Sequence, residues 1–169
     1  MKNLATLVFG LVIVVGSVLG SASAQAQTSA FLDIPGIPGE SFDANFPDTV
    51  IVTSWSQSVA NVGGPPVVMP LRFEHTIDRA TPKLIEAALL NTNLGEVVLS
   101  VTRFGEAGAV AYLTITLSDT RVAAVEASNG ENNVPAEQVT LTCTTYSLSY
   151  RRQTINGTLD DPIVVDGTC

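Results

Sequence analysis

The chain has 169 residues, with 16 Asp and Glu against 8 Lys and Arg, and its formal net charge at pH 7 is −8. This acidic balance argues against nucleic acid and anionic membranes as partners, because both repel negative charge. Only 14% of the residues are charged, so the surface must carry many hydroxyl groups or be covered in contacts. A Thr-rich sheet face and a self-associating protein both have this composition.

The first 26 residues have the pattern of a secretory signal peptide. Lys2 precedes an apolar stretch at residues 4–19, and small residues allow cleavage after Ala24 or Ala26. The alternative is a retained membrane anchor, because about 17 apolar residues approach the length that spans a bilayer. No cysteine lies near the cut, which excludes a lipid anchor at such a residue. We therefore predict an exported protein, periplasmic or extracellular, that has no membrane association after cleavage.

The remainder has the length of one domain, which we place at residues 27–153 and follow with a C-terminal tail at 154–169. Its apolar residues mostly alternate with polar ones, which is the period of a β-strand. Strands are predicted at residues 49–55, 69–77, 96–103, 111–118, 121–127 and 138–150. Turns are predicted at 63–66, 105–108 and 128–133, and residues 119–120 form either a turn or a kink within one long strand.

One segment has the pattern of a helix. Thr81 is the predicted N-cap and Pro82 suits the first turn, while Asn91 and Gly95 mark the end. The apolar face consists of Leu84, Ile85, Ala88 and Leu89. One helix among seven or eight strands cannot cover both faces of a parallel sheet. The predicted fold is therefore mainly β, with two antiparallel sheets or a β-barrel and one flanking α-helix.

Residues for catalysis or metal binding are scarce. His75 is the sole histidine and lies in a predicted strand, where a structural role is expected, and no Gly-x-Ser-x-Gly motif is present. Asp160, Asp161 and Asp166 lack the spacing of a calcium loop. We predict no catalytic residue, no cofactor and no metal site.

The two cysteines, Cys143 and Cys169, are predicted to form a disulfide, as is usual in an exported chain. Cys143 shares a strand face with Val139 and Leu141, which places it toward the core. The tail can reach it by adding an edge strand at residues 162–165, giving a bond within one chain. The alternative is a bond from Cys169 to a neighbouring subunit.

Four segments resemble the haemolysin-coregulated protein family, the inner-tube proteins of type VI secretion. Residues 31–41 (FLDIPGIPGES) are similar to the family's opening strand and turn, and residues 54–58 (SWSQS) to its tryptophan-bearing strand. The most specific segment is 73–84 (FEHTIDRATPKL), where a strand ends in Asp before a Thr-Pro helix start. The order and spacing continue from residue 98 to 150.

This resemblance implies a small β-barrel with a flanking helix that forms a ring of six, with rings stacking into a hollow tube. The partners would then be other copies of the chain, with cargo in the lumen or components of a secretion machine as further possibilities. The loop at residues 60–70 is a candidate inter-ring contact through Gly63, Gly64, Pro65 and Pro66. The alternative is an ordinary surface loop.

Two features depart from the family, namely the leader and the cysteine-bearing tail, because tube proteins that assemble in the cytoplasm need neither. We therefore expect an exported bacterial structural protein without enzymatic activity. The alternative is a soluble secreted ring or monomer that acts as a carrier, effector or binding module.

Overall fold

The computed structural model describes residues 28–61, 63–64, 66–105, 108–129, 133–154 and 158–169. The predicted signal peptide, with both cleavage positions at Ala24 and Ala26, lies outside the described residues. Those residues form eleven strands and one helix in the order β1 (Thr28–Asp33), β2 (Val50–Val52), β3 (Ser54–Ser56), β4 (Val59–Ala60), β5 (Val67–Val68), β6 (Leu71–Thr76), α1 (Thr81–Leu90), β7 (Gly95–Gly105), β8 (Gly108–Asn129), β9 (Pro135–Thr142), β10 (Thr145–Tyr150) and β11 (Ile163–Thr168). The predicted fold class is confirmed.

The main sheet closes on itself through the segment that contains β2 and β3. Its strand order is β2-β1-β7-β8-β9-β6-β3, and β2 and β3 are separated in sequence by Thr53 alone. The Thr53 amide and hydroxyl both donate to the Glu74 carbonyl, at 2.8 and 3.0 Å. The predicted single strand at 49–55 is therefore wrong in one respect, because the segment changes partner at Thr53 from β1 to β6.

β8 is one long strand with a kink, which selects one of the two predicted alternatives for residues 119–120. Asp119 has a positive φ of 51°, and the buried Thr120 hydroxyl donates to the Leu117 carbonyl at 3.1 Å. The first half of β8 pairs with β7 and β10, and the second half pairs with β9. The kink thus lets a single strand serve both layers of the barrel.

The predicted strand at 138–150 is interrupted at Cys143 and Thr144, so the prediction of one strand is wrong. β9 before the break pairs with β6 and β8, whereas β10 after it pairs with β8 and β11. The Thr144 amide donates to the Ser118 carbonyl at 2.9 Å. The chain therefore changes direction between β9 and β10, next to the kink in β8.

The core consists of the inward-facing residues of the strands together with one face of α1. Leu84 and Ala87 are the buried residues of the helix. The predicted N-cap is wrong, since Ala80 occupies that position without a side-chain cap and Thr81 is the first helical residue. Asn91 ends the helix in the left-handed conformation, as expected for a C-cap. The largest fully buried apolar side chains are Phe73, Leu32, Leu71, Leu84, Leu99, Ile115, Leu117 and Leu141. Each stabilises the fold by roughly 1.5–3 kcal/mol.

Candidate assembly surface

The C-terminal tail forms an edge strand held by a disulfide. β11 pairs with β10 from Thr145 opposite Thr168 to Tyr150 opposite Ile163. Cys143 and Cys169 are joined within the chain, with 5.6 Å between their Cα atoms, and the Cys169 amide donates to the Thr144 carbonyl at 3.0 Å. The tail therefore adds a strand to the sheet as expected, over Ile163–Thr168 rather than residues 162–165.

The apolar face that this sheet turns toward the core extends past the buried residues and onto β11. Directly opposed residues of antiparallel strands share a face, so Leu99, Ile115, Leu148 and Val165 form one row across β7, β8, β10 and β11. The exposed fraction rises along the row from 1% at Ile115 to 58% at Val165. The adjacent row ends at Ile163, which is 68% exposed. Among the described residues, none covers the outer end of this apolar face.

The candidate inter-ring loop is the tip of a separate hairpin. β4 and β5 pair only with each other among the described strands. Of the four candidate residues, Gly63, Gly64 and Pro66 lie between these strands, while Pro65 lies outside the described residues. The Gly63 amide donates to the Asn61 Oδ1 at 3.2 Å, and Gly63 has a φ of +86°, a conformation that favours glycine. The hairpin exposes Val59, Val67 and Met69.

Helix α1 carries a second uncovered apolar face. Ile85, Leu89 and Leu90 are exposed, although Ile85 and Leu89 are the residues that the sequence places on the buried face with Leu84. The buried stripe is Leu84 and Ala87 instead, because the helix lies against β8. Lys83 lies on the same helix and its Nζ donates to the Gly36 carbonyl at 3.2 Å.

His75 lies in a buried polar cluster at the junction of β6, β9 and α1. Its Nε2 is 2.7 Å from Glu137 Oε1, and its Nδ1 is 3.7 Å from Asp78 Oδ1. The Thr81 hydroxyl donates to Glu137 Oε1 at 2.9 Å. His75 and Glu137 are each 1% exposed, so neither can contact a substrate. This geometry supports the predicted structural role of His75.

Sequence reasoning missed Glu137, although a signal for it exists. Glu137 alternates with Val139 and Leu141 in β9, and all three are buried. His75 alternates in the same way with Phe73 and Leu71 in β6. Two titratable residues at core positions of different strands need each other or another partner, because an isolated buried charge is costly.

The acidic residues of the tail do not gather into a site. Asp160 accepts from Arg152 Nε and from the Arg151 Nε through its carbonyl, whereas Asp161 and Asp166 are exposed. In the described part of the chain no group of three or more His, Cys, Asp or Glu side chains could hold a metal ion. No helix in that part is long and apolar enough to cross a bilayer.

The fold defines the class of protein, a small closed antiparallel β-barrel with one helix packed on its side. The family model described as type VI secretion system effector, Hcp, matches residues 31–150. Protein hcp1 of Pseudomonas aeruginosa is 29% identical over 142 residues, which cover 77% of this chain and 87% of that protein. The chain belongs to the Hcp family of type VI secretion proteins, and the family prediction is confirmed.

Solved structures agree with this assignment. The crystal structure of Hcp1 from Salmonella typhimurium has a TM-score of 0.71 and 28% identity, and the match covers 85% of this chain and 95% of that one. A type VI secretion system effector from Yersinia pestis has a TM-score of 0.69 and 27% identity, with 83% and 99% covered. The family model ends at residue 150, before β11 and Cys169.

Proposed function

We propose that this chain is a non-enzymatic structural protein that is exported, forms rings of six and stacks these rings into hollow tubes. The observation that carries the proposal is membership of the Hcp family over residues 31–150. The implied role of such a protein is the inner tube of type VI secretion. The partners would be other copies of the chain, with cargo or secretion-machine components in the lumen.

The distribution of exposed apolar residues supports assembly. A ring requires a heterologous contact, in which two different patches on one copy meet the opposite patches of its neighbours. The chain has uncovered apolar side chains on α1 and on β11, which are separate elements. The β4–β5 hairpin is a third apolar surface, and it is available for contact between rings.

Export is part of the same proposal. The leader at residues 1–26 supplies the export signal, and the Cys143–Cys169 disulfide suits an oxidising compartment. The working location would therefore be periplasmic or extracellular. Intact-mass analysis of the exported protein should give a chain that begins at Gln25 or Gln27. A membrane-bound product that retains Met1 would contradict export and show that the leader is a membrane anchor.

Assembly is tested on the exported, processed protein. Light scattering should give a mass near six times that of the monomer, and negative-stain microscopy should show rings and tubes. A stable monomer at micromolar concentration would overturn the ring and favour the alternative of a secreted carrier, effector or binding module.

A further inference from the structure

We propose that Ile163 and Val165 of β11 form a contact with a second copy of this chain, and that the Cys143–Cys169 disulfide holds β11 in place for that contact. The inference rests on the proposed function, since it names one subunit surface of the ring and its control by oxidation.

Among the described residues, β11 is held mainly by its pairing with β10 and by the disulfide. None of its six residues is buried, so its own side chains contribute little apolar burial. Beyond β10, the strand approaches β5, where a Cβ added at Gly167 would lie 3.4 Å from Val68 Cγ2. A cleft of about 220 Å³ lined by Val68, Pro70, Thr142 and the two cysteines lies beside this contact. Pairing with β10 alone leaves an edge strand without buried side chains free to fray, and the covalent link at Cys169 favours the docked state.

The exposed row on β11 fits a second copy better than an unrelated protein. The row continues the barrel's own core-facing side, so its cover must be apolar. Helix α1 offers such a surface through Ile85, Leu89 and Leu90. Charge allows one opposite pair across the contact, because Asp161 precedes the β11 row and Lys83 lies on α1, and neither has an ion pair among the described residues. Asp166 lies on the other face of β11 with Val164, and the exposed Glu86 also lies on α1, so apolar contact carries the pairing. One copy therefore carries both halves of a heterologous contact.

Oxidation supplies the link. Two thiols at Cys143 and Cys169 form one Sγ–Sγ bond and give up two protons and two electrons to a disulfide-bearing oxidant, which is reduced to two thiols. Reduction reverses this step and frees the strand from its tether. Assembly would then be confined to oxidising compartments, where the exported chain arrives.

The first test compares four forms of the exported, processed protein by sedimentation velocity. These are the wild type, the double variant Ile163→Asp/Val165→Asp, the matched control Val164→Asp and the cysteine-free Cys143→Ser/Cys169→Ser. Val164 is 50% exposed on the opposite face of the same strand. We expect the association constant to fall at least about tenfold for the double variant and for the cysteine-free variant, and to be unchanged for Val164→Asp. Circular dichroism establishes that each barrel is folded.

The second test mixes two association-deficient variants. Ile163→Asp/Val165→Asp retains the α1 face, and Leu89→Asp retains the β11 row. A mixture should form heterodimers and no larger species, because one complete contact remains between the two kinds of chain.

The outcomes separate this inference from the proposed function. Rings that form equally well after reduction and in the double variant overturn the β11 contact and leave ring assembly intact. A wild type that stays monomeric overturns both.

Discussion

His75 Nε2 lies 2.7 Å from Glu137 Oε1 across the β6–β9 pair, and both residues are almost fully buried. The two residues are opposed in the strand register. Neither ring nitrogen meets hydrogen-bond geometry, and Glu137 Oε2 has no hydrogen-bond partner. The contact is therefore close but incompletely satisfied, and its net contribution to stability depends on the desolvation of both groups.

Replacement of either residue alone should be strongly destabilising. His75→Leu leaves the Glu137 carboxylate buried without its imidazole, and Glu137→Leu leaves the imidazole without its carboxylate. We expect each to lower the free energy of unfolding by about 3–5 kcal/mol in chemical denaturation. The double variant should be less destabilised than the sum of the two, because it leaves no buried charge without a partner. Glu126→Gln, at an exposed position of β8, is the control and should change stability by less than about 0.5 kcal/mol. Strictly additive losses would contradict this coupling.

Gly39 is required by the close approach of two backbone segments. A Cβ at this position would lie 2.5 Å from the Thr49 carbonyl carbon and from Val50 Cα, and the Gly39 amide donates to the Asp48 carbonyl at 2.7 Å. Gly39→Ala should therefore lower the melting temperature, with a loss of about 1–3 kcal/mol or more. Gly64→Ala is the matched control, since an added Cβ there has no neighbour within 4 Å among the non-adjacent residues that the structure describes. Equal stability of the two variants would show that the turn relaxes without cost.

The sequence predicts structural features that follow from the local spacing of apolar residues. It misses features that depend on contacts with residues distant in sequence. Alternation placed most strands correctly, because it reports which side of a strand is apolar. It could not reveal the partner change at Thr53, which is decided by β1 and β6. The pattern predicts the helix but places Thr81 at its cap, because the partner of the Thr81 hydroxyl, Glu137, is remote in sequence.

The candidate site shows the same division. The disulfide could be anticipated from two cysteines and a leader. The exposed row at Ile163 and Val165 could not, because its meaning depends on the register between β10 and β11 and on how far the core extends.

Burial of Tyr146 should make the folded state less stable at alkaline pH. Desolvation raises the pKa of the Tyr146 phenol above its ordinary value. The folded state therefore keeps this proton at a pH where the unfolded state has lost it, so unfolding releases a proton. Stability should be unaffected below about pH 10 and should fall as the pH rises through the raised pKa. Tyr146→Phe should remove this loss in denaturant titrations at pH 9–11, whereas Tyr150→Phe, at a more exposed position of β10, should retain it. A steep alkaline loss in Tyr146→Phe would assign it to another group.

The β4–β5 hairpin should control stacking without affecting the ring. Val67 is exposed on a hairpin that pairs with no other described strand, so Val67→Asp alters a projecting surface and leaves the barrel core intact. We expect this variant to retain the mass of a six-membered ring by light scattering and to form few or no tubes in negative-stain images, because a charge buried between rings costs several kcal/mol without a partner. Val164→Asp introduces the same charge at a similarly exposed position of β11 and should form tubes like the wild type. Tubes of normal length from Val67→Asp would show that the hairpin is an ordinary surface loop. Loss of the ring itself would show that the hairpin lies between subunits of one ring.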